Sequence, residues 1–250
     1  MRKKILTISV LSLLCMAWTA LFAQSATSKF IVLDKKYEAK SPSAVKNFLD
    51  SLKVEFDARF GEVIAVAEYE MDKEPPQNLL SNFLVDATRE IADSIFTFDD
   101  GRKTDIALLN FGGIRTLVPQ GNVTTAQIFS VMPFDNNVFV VFDIKGSELK
   151  KVFFRNLKKL ENIQCFSNVK LTYRNGLLES VLVGGRPVDD DRVYRMATIN
   201  FIETGGDKIL ENVEIKHVAD DPLPYRTHII NYIKARKVLD AKLDDRVVIY

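Results

Sequence analysis

The residues best suited to hold a ligand fall in three short stretches. The first is Asn110-Phe111-Gly112-Gly113-Ile114-Arg115. It offers a side-chain amide, a bare backbone and a guanidinium in quick succession. Glycine has no Cβ, so it permits φ > 0 and a close approach of backbone to ligand. The planar fork of Arg115 matches phosphate or carboxylate. The second stretch is Pro133-Phe134-Asp135-Asn136, and the third runs from Asn200-Phe201 to Gly205-Gly206-Asp207. Phe134 and Phe201 stand beside polar residues. Two such rings can hold a flat base between them, at about 1–3 kcal/mol per stacked base. Asp207 can accept hydrogen bonds from ribose hydroxyls. Each feature alone has an ordinary alternative. A double glycine also makes a tight turn, an arginine a surface ion pair, and most of the 17 phenylalanines a core. Jointly, the three stretches point to a nucleotide or nucleoside pocket.

These loops need a scaffold to bring them together. Thr104 to Leu109 is short and apolar and predicts a buried strand ending at the first stretch. Ligands bind beyond strand ends in open α/β sheets. Further strands are expected at Lys29–Ala39, Glu62–Tyr69, Val138–Ile144, Val193–Asn200 and Arg246–Tyr250. Val169–Tyr173 and Leu177–Val183 flank Asn175-Gly176, a hairpin signal. Pro119 to Asn122 predicts a turn.

Helical spacing appears in five places. Val45, Phe48, Leu49 and Leu52 follow Ser41-Pro42, a helix start. Leu80, Phe83, Leu84, Ala87, Ile91 and Ile95 predict a helix from Gln77 to about Phe96, carrying Asn82 and Asp86 four apart. Thr124 caps a short helix from Thr125 to Phe129. Gly146-Ser147 leads into a helix through Leu149, Val152, Phe153 and Leu157, and another runs from Pro224 to about Leu239. Strands and helices interleave around a hairpin, so the expected fold is α+β, a mixed β-sheet with packed helices.

The chain begins Met1-Arg2-Lys3-Lys4 and continues apolar from Ile5 to Phe22. A basic start, an apolar run and Ala23 before Gln24 predict a signal peptide over residues 1–23. The remaining domain would span 24–250. The expected location is periplasmic or secreted, with no membrane span after signal removal. A lipid anchor at Cys15 is the alternative, although Leu13 and Leu14 stand where a small residue usually precedes such a cysteine. Residues 1–23 carry three basic and no acidic residues, so without them the net charge falls from +1 to −2. That balance argues against binding nucleic acid or an anionic membrane through bulk charge. Lys150-Lys151 and Lys158-Lys159 read as solvated helix faces. Cys165 is left as the single cysteine and reads as a small buried hydrophobe.

The motifs, in their order, resemble the C-terminal domain of the 5′-nucleotidase family, which includes periplasmic UDP-sugar hydrolases and ecto-5′-nucleotidases. The matching residues are Asn82 with Asp86, Asn110-x-Gly-Gly-Ile-Arg115, Pro133-Phe134, Lys145-Gly146, and Asn200-Phe201-x-x-x-Gly205-Gly206-Asp207. The match runs from about Glu62 to Leu210. The resemblance implies that Arg115 contacts phosphate, Asn110 faces the base, Phe134 and Phe201 sandwich it, and Asp207 binds the ribose. Gly112 and Gly113 complete the implied substrate-binding set. The family usually carries a further phosphate-binding Arg shortly before the first long helix. Here Met71-Asp72-Lys73-Glu74-Pro75-Pro76-Gln77 has none, and Lys73 is the candidate substitute. Lys208 departs from the small uncharged residue common after Gly-Gly-Asp.

The family's other domain is a two-metal phosphoesterase, which needs several His, Asp and Asn ligands. This chain has two histidines, His217 and His228, which read as surface or helix-cap residues. The expectation is a free-standing recognition domain with no catalytic or metal-binding residues of its own. No cofactor is expected in this chain, and divalent metals are expected in a separate metallophosphatase subunit. The alternative is an exported nucleoside or nucleotide binder without a catalytic partner.

Overall fold

The computed structural model describes residues 42–157 and 164–250. The expected signal peptide, Cys15, the strand at Lys29–Ala39 and the pair Lys158-Lys159 lie outside the described residues. The chain parts into two units, residues 1–51 and 52–250. The described part of the first is the start of helix α1 (Ser43–Phe60). The predicted helix is present, and Val45, Phe48, Leu49 and Leu52 are exposed.

The second unit continues with β1 (Val63–Ala67), α2 (Leu79–Ile95), β2 (Ile106–Leu109), β3 (Gly121–Thr124) and α3 (Thr125–Val131). Next come β4 (Val138–Lys145), α4 (Gly146–Leu157), β5 (Cys165–Ser167), β6 (Val169–Arg174), β7 (Leu177–Val183) and β8 (Arg186–Pro187). It closes with β9 (Val193–Ile199), α5 (Asn200–Glu203), β10 (Ile215–Pro224), α6 (Tyr225–Arg236), β11 (Val238–Leu239) and β12 (Val247–Ile249). This is the predicted α+β fold.

A five-stranded sheet ordered β10-β4-β9-β2-β5 holds the centre. It is mixed: β2 pairs parallel with β9, while β4 pairs antiparallel with both β9 and β10. Strand β2 is buried at every position, and β4 buries Phe139 through Phe142 in succession. Strands buried on both faces lose the polar alternation of half-exposed ones. Helix α2 buries Leu80, Leu84, Val85, Ala87 and Ile91. Its first turn is closed by a capping box, in which the Ser81 N–H donates to Asn78 Oδ1 at 2.7 Å. Two smaller sheets, β11-β1-β3 and β12-β6-β7-β8, complete the unit.

Several elements differ from expectation. Strand β10 was not legible, because Ile215 to Pro224 is polar and holds two prolines. It forms the sheet edge against β4, with register shifts, and edges tolerate proline because one row of N–H groups goes unused. Residues expected as a turn around Gly121 begin β3, which pairs with β1. The last helix stops at Arg236, since Lys237 takes a left-handed φ of 65° and Val238 and Leu239 pair with β1. Asn82 and Asp86 anchor the C-terminal segment. Asn82 donates to the Lys242 carbonyl at 2.9 Å, and Asp86 accepts from Arg246 at 3.0 Å.

Three further residues support the sheet. Gly146 sits where a Cβ would lie 1.9 Å from the Asp189 carbonyl oxygen. Cys165 is buried as expected, and burial pushes its thiol up to about 12. Arg195 on β9 is nearly enclosed and donates to both Asp100 and Asp143. These bonds hold the Asp100 carboxyl well below its usual range.

Candidate functional site

Strand β2 hands the chain to Asn110, which precedes a single 3₁₀ turn at Phe111–Gly113. Asn110 is buried, and its Nδ2 donates to Asp207 Oδ2 at 2.9 Å. Neither glycine has positive φ, and a Cβ on Gly112 would meet nothing nearer than 3.9 Å. A Cβ on Gly113 would lie 2.7 Å from Asn110 Oδ1. Glycine here lets the Asn110 amide lie flat against the turn and reach Asp207.

Arg115 follows, with its N–H bound to the Val131 carbonyl at 2.9 Å. Its guanidinium lies 5.0 Å from the Phe134 ring centroid, within the range of a cation–π contact. Phe134 leaves the chain between α3 and β4. Behind that loop, the buried Arg226 donates to the Met132 carbonyl at 2.7 Å and covers Phe129 at 3.8 Å. Burial lowers the Arg226 pKa, partly offset by Asp135.

Phe201 stands on α5, directly after β9. Its ring packs against Gly206, where a Cβ would fall 2.4 Å from Phe201 Cε1. Gly205 has φ of 100°, and Asp207 itself has φ of 53°. Asp is among the few residues that visit this region routinely, because its short side chain can bond locally. Lys208 follows at φ 56°, and a small residue would meet less crowding there.

Phe134 is 37% exposed and Phe201 39% exposed. Together with Asn110, Gly112, Gly113, Arg115 and Asp207 they line one cleft of about 460 Å³. The three stretches separated in sequence therefore converge, at the end of β2 and beside the β4–β9 pair. That volume suits a small-molecule ligand. Asn136, the last residue of the second stretch, and Asn137 beside it also line the cleft, and neither was assigned a role from the sequence. Their signal was only a polar loop after Phe134.

Lys73, the candidate second cation, does not line this cleft. Its Nζ donates to the Ile114 carbonyl at 2.7 Å and sits 5.1 Å over the Phe111 ring. It braces the glycine turn from behind. Among the described residues lining the cleft, Arg115 is the cation and Asp207 the anion.

His217 is exposed on β10 and contacts Glu203 at 2.8 Å, which raises its pKa. His228 is buried within α6, neither the surface nor the helix-cap position expected, and lies edge-on to Phe139. It belongs to the face of α6 that packs on the sheet. Among the described residues, no group of three or more His, Cys, Asp or Glu side chains could hold a metal ion. Among them, too, no helix is long and apolar enough to cross a membrane.

Comparison with known proteins adds three findings. The family model described as "5′-nucleotidase, C-terminal domain" matches residues 62–213. Protein UshA of Yersinia enterocolitica is 30% identical over 176 residues, which is 68% of this chain and 30% of that protein. Among solved structures, a 5′-nucleotidase precursor from Thermus thermophilus superposes with a TM-score of 0.66 at 27% identity. That match covers 75% of this chain and 39% of the Thermus one. The chain thus spans well under half of either relative's length.

Proposed function

The chain belongs to the 5′-nucleotidase C-terminal domain family, and from that membership we propose that its cleft recognises a nucleotide or nucleoside on behalf of a 5′-nucleotidase-type phosphohydrolase. The observation that carries this reading is the convergence of Phe134, Phe201, Arg115, Asn110 and Asp207 on one cleft. The base lies between the rings, Arg115 takes the phosphate, and Asp207 takes the ribose hydroxyls. Gly112 and Gly113 let the backbone come close to the ligand. The role belongs to nucleotide breakdown outside the cytoplasm, after export through residues 1–23. The mass of the exported protein checks this, with Gln24 as the expected first residue and an intact Met1 or a lipidated Cys15 as the contrary result.

In this proposal the phosphatase chemistry, with its divalent metals, comes from a separate polypeptide. Ester hydrolysis needs an activated water and neutralised charge. A recognition domain contributes by holding the ester against the nucleophile, and positioning alone can lower a barrier by about 7–11 kcal/mol at best. With zinc, manganese or cobalt added, the purified chain is expected to release no phosphate from nucleotides at an enzymatic rate. Adding the metallophosphatase subunit restores turnover. Metal-dependent release by the chain alone, lost in Phe201→Ala, would sink the two-chain reading.

A second reading, an exported nucleoside binder without a catalytic partner, draws on the position of Lys73. With Lys73 bound to the Ile114 carbonyl, Arg115 carries phosphate recognition without a second cation among the described residues that line the cleft. Arg115→Ala is then expected to erase the preference for adenosine monophosphate over adenosine, measured by calorimetry. If wild-type protein binds the two ligands alike, the cleft does not read phosphate and the binder reading gains.

A further inference from the structure

The two aromatic loops are joined by one side chain that the substrate-binding set does not include. Asn200 is the residue at which β9 becomes α5. The β4–β9 ladder ends with the pair Phe139 and Ile199, so the next rung would be Val138 against Asn200. At that rung the backbone of Asn200 has already turned into the helix, and its carbonyl accepts from the Thr204 N–H at 2.9 Å. Its side chain completes the rung instead. Oδ1 accepts from the Val138 N–H at 3.0 Å, and Nδ2 donates to the Asn136 carbonyl at 3.2 Å. The amide orientation follows from these partners, since only the oxygen can accept from an N–H and only the nitrogen can donate to a carbonyl.

A carboxamide carries the same donor and acceptor as a peptide unit. Asn200 therefore extends the sheet by one rung while its own backbone leaves it. That departure is what carries Phe201 to the cleft. The rung it completes lies two to four residues after Phe134. The intervening Asn137 carbonyl is held from the other side by the Tyr225 N–H at 2.7 Å.

We propose that Asn200 is a positioning residue that sets the separation of Phe134 and Phe201, and so the fit of a base between them. The proposal rests on the nucleotide reading of the cleft, but it can be tested with and without ligand. Asn200→Asp keeps the acceptor for Val138 and places an oxygen against the Asn136 carbonyl. Asn200→Leu removes both bonds at similar volume.

In ligand-free protein, Asn200→Leu is expected to speed hydrogen exchange at the Val138 amide at least tenfold. It should also shift the ring resonances of Phe134 and Phe201, with Asn200→Asp intermediate. Adenosine affinity, read by calorimetry, should fall at least tenfold in Asn200→Leu. In a Phe201→Ala background the same change should lower it less than twofold, because the ring being positioned is gone. An equal loss in both backgrounds would make Asn200 a general structural residue and overturn the proposal. Unchanged Val138 exchange and ring shifts would overturn it as well. If wild-type protein binds no adenosine, the nucleotide reading fails, and exchange and ring shifts alone decide whether Asn200 positions the rings.

Discussion

Replacing Phe134 and Phe201 together by alanine is expected to abolish measurable adenosine binding while leaving the fold intact. Each residue is more than a third exposed, so truncating it gives up less buried area than truncating a core phenylalanine. Each stacked face is worth about 1–3 kcal/mol, or roughly a five- to 150-fold change in affinity per ring. The rings grip the same base, so the pair need not add. Simple addition sets the combined loss at about 2–6 kcal/mol, and a loss of about 4 kcal/mol or more takes a micromolar ligand to about millimolar affinity, beyond routine calorimetry. Single variants should each show a partial loss, with thermal midpoints close to wild type. Wild-type affinity in both single variants would return these rings to ordinary surface phenylalanines.

Gly146→Ala should produce the largest loss of stability of any single methyl addition at a glycine, although the residue lies in no binding loop. Gly146 begins α4, and its N–H donates to the Arg192 carbonyl at 2.9 Å. A Cβ there would stand 1.9 Å from the Asp189 carbonyl oxygen and 2.8 Å from its carbon. The obstacle is backbone, which cannot rotate away as a side-chain tip would. Overpacking costs about 1–3 kcal/mol in ordinary cores, and this contact belongs at or above the upper end. For a domain of this size, about 3 kcal/mol corresponds to a fall in Tm of roughly 6–12 °C. Gly185→Ala is the control. Its φ is 75° and nothing lies within 4 Å of the added methyl, so only the left-handed backbone penalty of about 1–2 kcal/mol applies. Scanning calorimetry of the two variants separates collision from backbone strain. Equal midpoints would mean that the α4 start shifts freely and the glycine is not required.

The sequence by itself determined the elements whose information is local. Helix α2 was legible because its apolar residues repeat every three or four positions. Strands β4 and β9 were legible because β-branched and aromatic residues run together. The hairpin was legible because Asn175 and Gly176 both take positive φ, at 49° and 75°, as a tight hairpin turn requires. The binding loops were legible too, because a glycine pair with an arginine marks the first, a ring among polar residues the second, and a ring, a glycine pair and an acid the third.

Tertiary structure decided what depends on partners far along the chain. Strand β10 exists because β4 offers it a ladder, and its polar residues alone give no strand pattern. Lys73 could have faced a phosphate, but the Ile114 carbonyl 41 residues away takes its ammonium. Asn82 and Asp86 are motif residues in sequence, and hydrogen bonds across 160 residues commit them to the C-terminal segment. Asn200 reads as a motif letter, and its hydrogen bonds to residues 62 and 64 positions away tie together the loops carrying the two rings. A pattern reports the conformation a segment prefers. Which group ends up holding which carbonyl depends on what the fold brings within about 3 Å, and in this chain that choice separates the cleft from the framework behind it.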